Sequence, residues 1–155
     1  MKSLQPLFLL PLIVFGQSEA SRNVVKLTPL ETVSAKIGTT VKVALSLQVD
    51  EGYHVNSNTP ADEFLIPLKL TWSPGPLQSE AVSFPKPQLE KLQFSQKPVS
   101  VFKGTFEIAT RFKVPADAKP GQGIVTGKLH YQACNDRMCL TPKTVDVSVP
   151  VEIVK

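Results

Sequence analysis

Two cysteines, Cys134 and Cys139, are the only thiol-bearing residues in this chain of 155, and they enclose Asn135, Asp136, Arg137 and Met138. A disulfide between them closes a very short loop, which the chain-entropy account values at roughly 2 kcal/mol, against more than about 4 kcal/mol for a loop approaching 100 residues. Stability is therefore a weak reason for the pair. The structural disulfide of a β-sandwich joins distant strands across the core, and this spacing does not fit it. A bridge between the two arms of a hairpin near its tip is instead open to another protein's thiolate, which is the geometric requirement of thiol–disulfide exchange. The residues by themselves leave two readings open: exchange chemistry, or an inert hairpin staple of the kind exported domains often carry. Arg137 and Lys143 favour a thiolate at Cys139, while Asp136 opposes it. The two-residue C-x-x-C spacing is absent and no βαβ pattern surrounds the pair, so a thioredoxin-like domain is excluded.

Other constellations carry less. His130, four residues before Cys134, could join Cys139, Met138 or His54 as a soft metal set, but the spacing matches no standard ligand pattern, and no metal or other bound cofactor is expected. No nucleophile-elbow motif supports acyl transfer, and Gly121-Gln122-Gly123 lacks the following helix that a phosphate loop needs. The formal charge of +4 is mild. Its lysines and arginines are scattered without a basic cluster or interleaved aromatic stripe, which leaves nucleic-acid binding without support.

The elements that must position the cysteines read as strands. Val41, Val43, Leu45, Leu47 and Val49 alternate with Lys42, Ala44, Ser46 and Gln48, the period of two that defines a half-buried strand. Phe106, Ile108, Phe112 and Val114 share a second inner face, interrupted only by Thr110. Val125, Leu129, Tyr131 and Ala133 make a third, Leu68, Leu70 and Trp72 another, and Val145 to Ile153 the last, with Pro150 on its outer side marking a sheet edge. No sustained spacing of three and four appears, and 14 prolines recur too often for long helices. The fold class is all-β, an immunoglobulin-like two-sheet antiparallel sandwich in which long parallel crossovers are not expected. Pro85 to Pro98, the least regular stretch, reads as a long loop. Cys134 falls in phase with Lys128, His130 and Gln132, and so should face away from the main core. Counting back from Val145 places Cys139 in the inner phase, across an interruption at Pro142.

Residues 1–20 read as a signal peptide: Lys2 opens it, Leu7 to Phe15 form an apolar run too short to span a bilayer, and Ser18-Glu19-Ala20 ends it in small residues. The remainder, 21–155, is the size of one domain with a full core.

The stretch Tyr131-Gln132-Ala133-Cys134-Asn135-Asp136-Arg137-Met138-Cys139-Leu140-Thr141-Pro142 resembles the active-site hairpin of the periplasmic N-terminal domain of the DsbD thiol:disulfide interchange family. The Tyr-Gln-small-Cys start and the Cys-x-x-Pro end are its specific parts, and the likeness extends through Gly52-Tyr53-His54-Val55, the Pro85 to Gly104 region and the valine-rich final strand. The resemblance implies an immunoglobulin-like redox domain that is periplasmic and works as a protein-disulfide reductase. It implies transient mixed disulfides with thioredoxin-fold proteins, and a membrane-bound electron donor as a separate molecule. In that family Cys139 matches the cysteine that joins partners, Cys134 the one that resolves the adduct, and Tyr53 an aromatic beside the pair. A capping phenylalanine matches Phe94 by chain order, although Leu92-Gln93 lacks the acidic residues that precede the family's cap; the word Asp62-Glu63-Phe64 makes Phe64 a second candidate. The competing expectation is a non-catalytic binding or assembly module with an inert hairpin disulfide.

Overall fold

The computed structural model describes residues 22–93 and 95–155, so the signal peptide expected at residues 1–20 lies outside the described residues. The described chain forms strands and no helix. In order they are β1 (Val25–Leu27), β2 (Val33–Lys36), β3 (Thr40–Val49), β4 (His54–Asn56), β5 (Lys69–Trp72) and β6 (Gln78–Ser83). Then follow β7 (Gln88–Glu90), β8 (Val99–Phe102), β9 (Thr105–Lys113), β10 (Gly121–Tyr131), β11 (Ala133–Cys134) and β12 (Lys143–Val154). They pair as β1-β3-β9-β6, β2-β12-β10-β5 and β11-β4-β8-β7.

The first two sheets are the two layers that the alternating pattern requires. Their inner residues interlock in contiguous clusters, one around Leu45, Leu47, Ile108, Leu129 and Val147, the other around Val43, Phe112, Val125, Val149 and Val151. Each such side chain contributes about 1.5–3 kcal/mol on leaving water, which is why the period of two survives in the fold. Thr110, the one polar residue on the inner face of β9, is buried and accepts a 3.0 Å hydrogen bond from Trp72 Nε1. The same indole meets Phe112 edge-on at 5.0 Å and lies over Gly127, where an added Cβ would come within 2.7 Å of the ring.

The all-β immunoglobulin-like class holds, with three departures from the sequence reading. A third, shorter sheet stands beside the sandwich. One of its strands, β7, lies inside the Pro85 to Pro98 stretch expected to be loop. The last strand also gains a parallel neighbour: β12 pairs β2 from Val151↔Val33 to Val154↔Lys36. Pro150 has no N–H to donate, and the parallel ladder starts immediately after it, so the expected free edge exists only up to that residue.

The third sheet has two unlike faces, and its register sorts them. Ala133, Val55 and Phe102 fall on one row and belong to the main core. Cys134 and His54 pair on the opposite face, as do Asn56 and Val101, and Val101 belongs to a separate small cluster with Leu92 and Val99, covered by Leu65. Leu65 and Leu92, from the chain before β5 and after β7, thus cover part of a face that would otherwise meet solvent.

Candidate functional site

The hairpin that carries the cysteines is held at both ends. At its base, Ala133 and Leu140 are buried in the main core, and Leu140 N–H donates to the Ala133 carbonyl at 2.8 Å. At its tip, Asn135 N–H donates to the Met138 carbonyl at 2.9 Å, and Asn135 Oδ1 accepts from the N–H groups of Arg137 (2.9 Å) and Met138 (2.8 Å). Asparagine favours this turn because its side chain stands in for a backbone acceptor. Gln132 Nε2 ties the arms together through the Leu140 carbonyl at 3.2 Å.

Cys134 and Cys139 sit between these bonded pairs, as a non-hydrogen-bonded pair, where antiparallel backbones approach most closely. Their Cα atoms are 3.9 Å apart and the sulfurs are joined at 2.05 Å. The two ends of this bond differ in access. Cys134 is fully buried, whereas Cys139 is half-buried beside the exposed Asp136, Arg137 and Met138. Cys134 faces away from the main core, as its strand phase implies, and is nonetheless fully buried.

His54 stands directly opposite Cys134 in the β11–β4 ladder and is likewise buried. Its Nε2 has no hydrogen-bond partner, nor has Asn56 Oδ1 two residues further along the same face. Burial, reinforced by the Lys103 ammonium, holds the His54 imidazole below its ordinary pKa of 6.5, with Glu90 and Asp136 pulling the other way. Lys103 and Glu90 are themselves paired at 3.0 Å. Between the hairpin tip and this ion pair runs an open groove of about 720 Å³, lined by Tyr53, His54, Leu92, Lys103 and Asp136 among others.

Of the other residues singled out by sequence, Tyr53 comes close to the pair by chain position. It is half-buried against the main core and follows Gly52, whose φ of 80° makes the turn from β3 into β4 one that glycine adopts without strain. Phe64 does not cover the disulfide here: it is 85% exposed, and its segment Ala61 to Leu65 lines a separate cavity of about 550 Å³ with Ser95 to Val99. Phe94 lies outside the described residues, although Leu92 of the same loop borders the groove beside the hairpin. The Lys143 ammonium donates to the Arg22 carbonyl at 3.0 Å. His130 is bonded across the ladder to Thr144 Oγ1 at 2.8 Å. Sequence reasoning gave His54 no part in the disulfide's chemistry, since β4 has three residues and no alternation from which a register could be read. It also passed over Asn56, Ser57 and Ser100, which are buried polar residues that anchor the roof: Asn56 Nδ2 donates to the Ile66 carbonyl at 3.0 Å and Ser100 Oγ to Ser57 Oγ at 2.8 Å.

The family described as "Thiol:disulfide interchange protein DsbD, N-terminal" matches residues 23–150. No curated protein matches the chain. Among solved structures, the N-terminal periplasmic domain of ScsB from Proteus mirabilis is similar with a TM-score of 0.52 and 12% identity, over 83% of this chain and 44% of that one. The chain thus spans less than half the length of that relative. A reduced DsbD N-terminal domain from Neisseria meningitidis aligns over 70% of this chain and 76% of its own, with 16% identity and a TM-score of 0.47. A cohesin–dockerin complex of Clostridium thermocellum contains a chain with a TM-score of 0.50 and 16% identity, over 85% of this chain and 100% of that one. At these identities the likeness shows the sandwich fold alone.

Proposed function

The chain belongs to the family of the DsbD N-terminal domain, a thiol–disulfide interchange domain, and from that premise we propose that it passes electrons to or from periplasmic thioredoxin-fold proteins through a reversible Cys134–Cys139 disulfide. In the reducing direction the Cys139 thiolate attacks one sulfur of a partner's disulfide, and the partner's other sulfur leaves as a thiolate. The Cys134 thiolate then attacks Cys139 Sγ, the mixed disulfide breaks, and the partner departs with two electrons and both thiols. A membrane-bound donor of the same chemistry would restore the dithiol by the reverse route. The protein would reach its partners in the periplasm by way of the signal peptide at residues 1–20.

The observation that carries this reading is the unequal burial of the two cysteines. A partner must reach the sulfur it attacks and is attacked by, and half-buried Cys139 meets that need, whereas fully buried Cys134 is suited to internal resolution. Tyr53 supports the pair from the turn before β4, and Phe94, in the loop bordering the groove, is the capping residue in this reading; Phe64, with its ring in solvent, is not. Replacing Cys134 by Ser should trap a covalent complex with an oxidised thioredoxin-fold protein, visible on a non-reducing gel, while Cys139→Ser should trap none. If neither variant yields a reductant-sensitive adduct, the inert staple is the better reading; if only Cys139→Ser does, the roles are reversed.

A further inference from the structure

Cys134 has a difficulty that Cys139 does not. A thiol buried in apolar surroundings stays protonated, because burial disfavours the thiolate, yet only the thiolate can attack. A group beside it in the fold is therefore needed to take that proton, because Cys134 itself is fully buried. The residue directly across the ladder is His54, on the same face of the sheet. With the disulfide closed, its buried Nε2 has no partner. A buried polar atom left unpaired costs about 1–3 kcal/mol, so this arrangement calls for a reason. Opening the disulfide supplies one: reduction places an S–H donor on Cys134, across the ladder from a histidine whose buried Nε2 has no partner.

We propose that His54 is the proton acceptor and donor for Cys134, the sulfur that closes and opens the disulfide. This rests on the exchange reading above and names a residue for its second step. During closure, His54 Nε2 takes the proton from Cys134 Sγ. The resulting thiolate attacks Cys139 Sγ, the bond from Cys139 to the partner sulfur breaks, and the partner leaves as a thiolate that is protonated from solvent. His54 returns its proton to solvent through the adjoining groove. During opening by an incoming thiolate, Cys134 leaves Cys139 as a thiolate, and His54 takes a proton from solvent in the adjoining groove and passes it to Cys134 Sγ. A neutral imidazole is the required starting form, and burial together with Lys103 favours it. Glu90 on β7 and Asp136 on the hairpin turn oppose that effect and favour the protonated ring. The groove beside it also carries Asp50, Glu51, Tyr53 and Lys91.

The reduced protein can be mixed with an equal concentration of an aromatic disulfide whose nitrothiobenzoate leaving group absorbs visible light. The first release reports attack by Cys139, and the second reports attack by Cys134 on the Cys139 adduct. His54→Phe and His54→Gln should each slow the second release by about a hundredfold, the scale of a lost general base, and leave the first unchanged. A second release as fast as in the unsubstituted protein, in either variant, would overturn the proposal. Should either variant fold poorly, the His54 ring of the unsubstituted protein is followed by NMR in its disulfide and dithiol forms. The titration midpoint should differ between them, and identical midpoints overturn the proposal. If the unsubstituted protein gives no second release at all, the exchange reading fails first, a result distinct from a loss seen only in the variants.

Discussion

A single imidazole makes the stability of the protein depend on pH. His54 is held below its ordinary pKa by burial, so the unfolded chain binds a proton more readily than the folded one. Stability therefore rises with pH through this window: the penalty is absent above about pH 6.5 and grows as the pH falls below it. Urea unfolding at pH 7 and pH 5 should show the loss, and His54→Gln should flatten the difference; an equally steep loss in the variant would assign it to other groups. A second residue-scale expectation concerns Phe94. If its ring caps the sulfur pair, Phe94→Ala should speed reduction of the disulfide by a small thiol several-fold, because access limits exchange. Unchanged kinetics would remove Phe94 from the site. At this scale the sequence was readable in phase but not in depth. The parity of Cys134 with His130 and Gln132 gave its direction, whereas its full burial comes from chain that no local pattern connects to the hairpin.

Among the elements, the long strands were legible because each presents a continuous apolar face, and the short ones were not. β4, β7 and β11 have two or three residues each, fewer than one full alternation, and they are set in place by pairing with distant neighbours. The hairpin itself is anchored by Ala133 and Leu140 in the core and by the Asn135 turn, so it does not rely on its disulfide. Reduction should leave the circular dichroism spectrum of the sandwich intact and cost no more than about 2–3 kcal/mol; global unfolding under mild reductant would speak against a redox role. The packing of β5 on β10 makes a different demand. Gly127→Ala would place a methyl group 2.7 Å from the Trp72 ring and 2.8 Å from the Thr71 carbonyl. The two strands must part or the indole must turn, at a cost of about 1–3 kcal/mol, measurable as a lower urea midpoint. Thr110→Val tests the other side of that indole, since it leaves a buried N–H without its acceptor, for a loss of about 1–3 kcal/mol.

Taken whole, the molecule joins a deep two-layer sandwich to a shallow third sheet, with the sulfur pair at the seam. The sandwich was predictable from composition and period. The third sheet was not, because its outer face is polar along much of its length and is roofed by irregular chain. Among the described residues, that roof rests on few apolar side chains: Leu65, Leu92, Val99 and Val101 pack together there. The main layers hold many more. The free energy needed to lift the roof is therefore well below that needed to dissolve the sandwich, and the two events should occur on different timescales. Amide hydrogen exchange would resolve them. The backbone N–H groups that hold the roof down, such as Ser57 to the Ser100 carbonyl and Leu68 to the Ser57 carbonyl, should exchange much sooner than those of β3 and β10. The cover of the third sheet should thus open by a brief, local melting while the rest of the molecule remains solid.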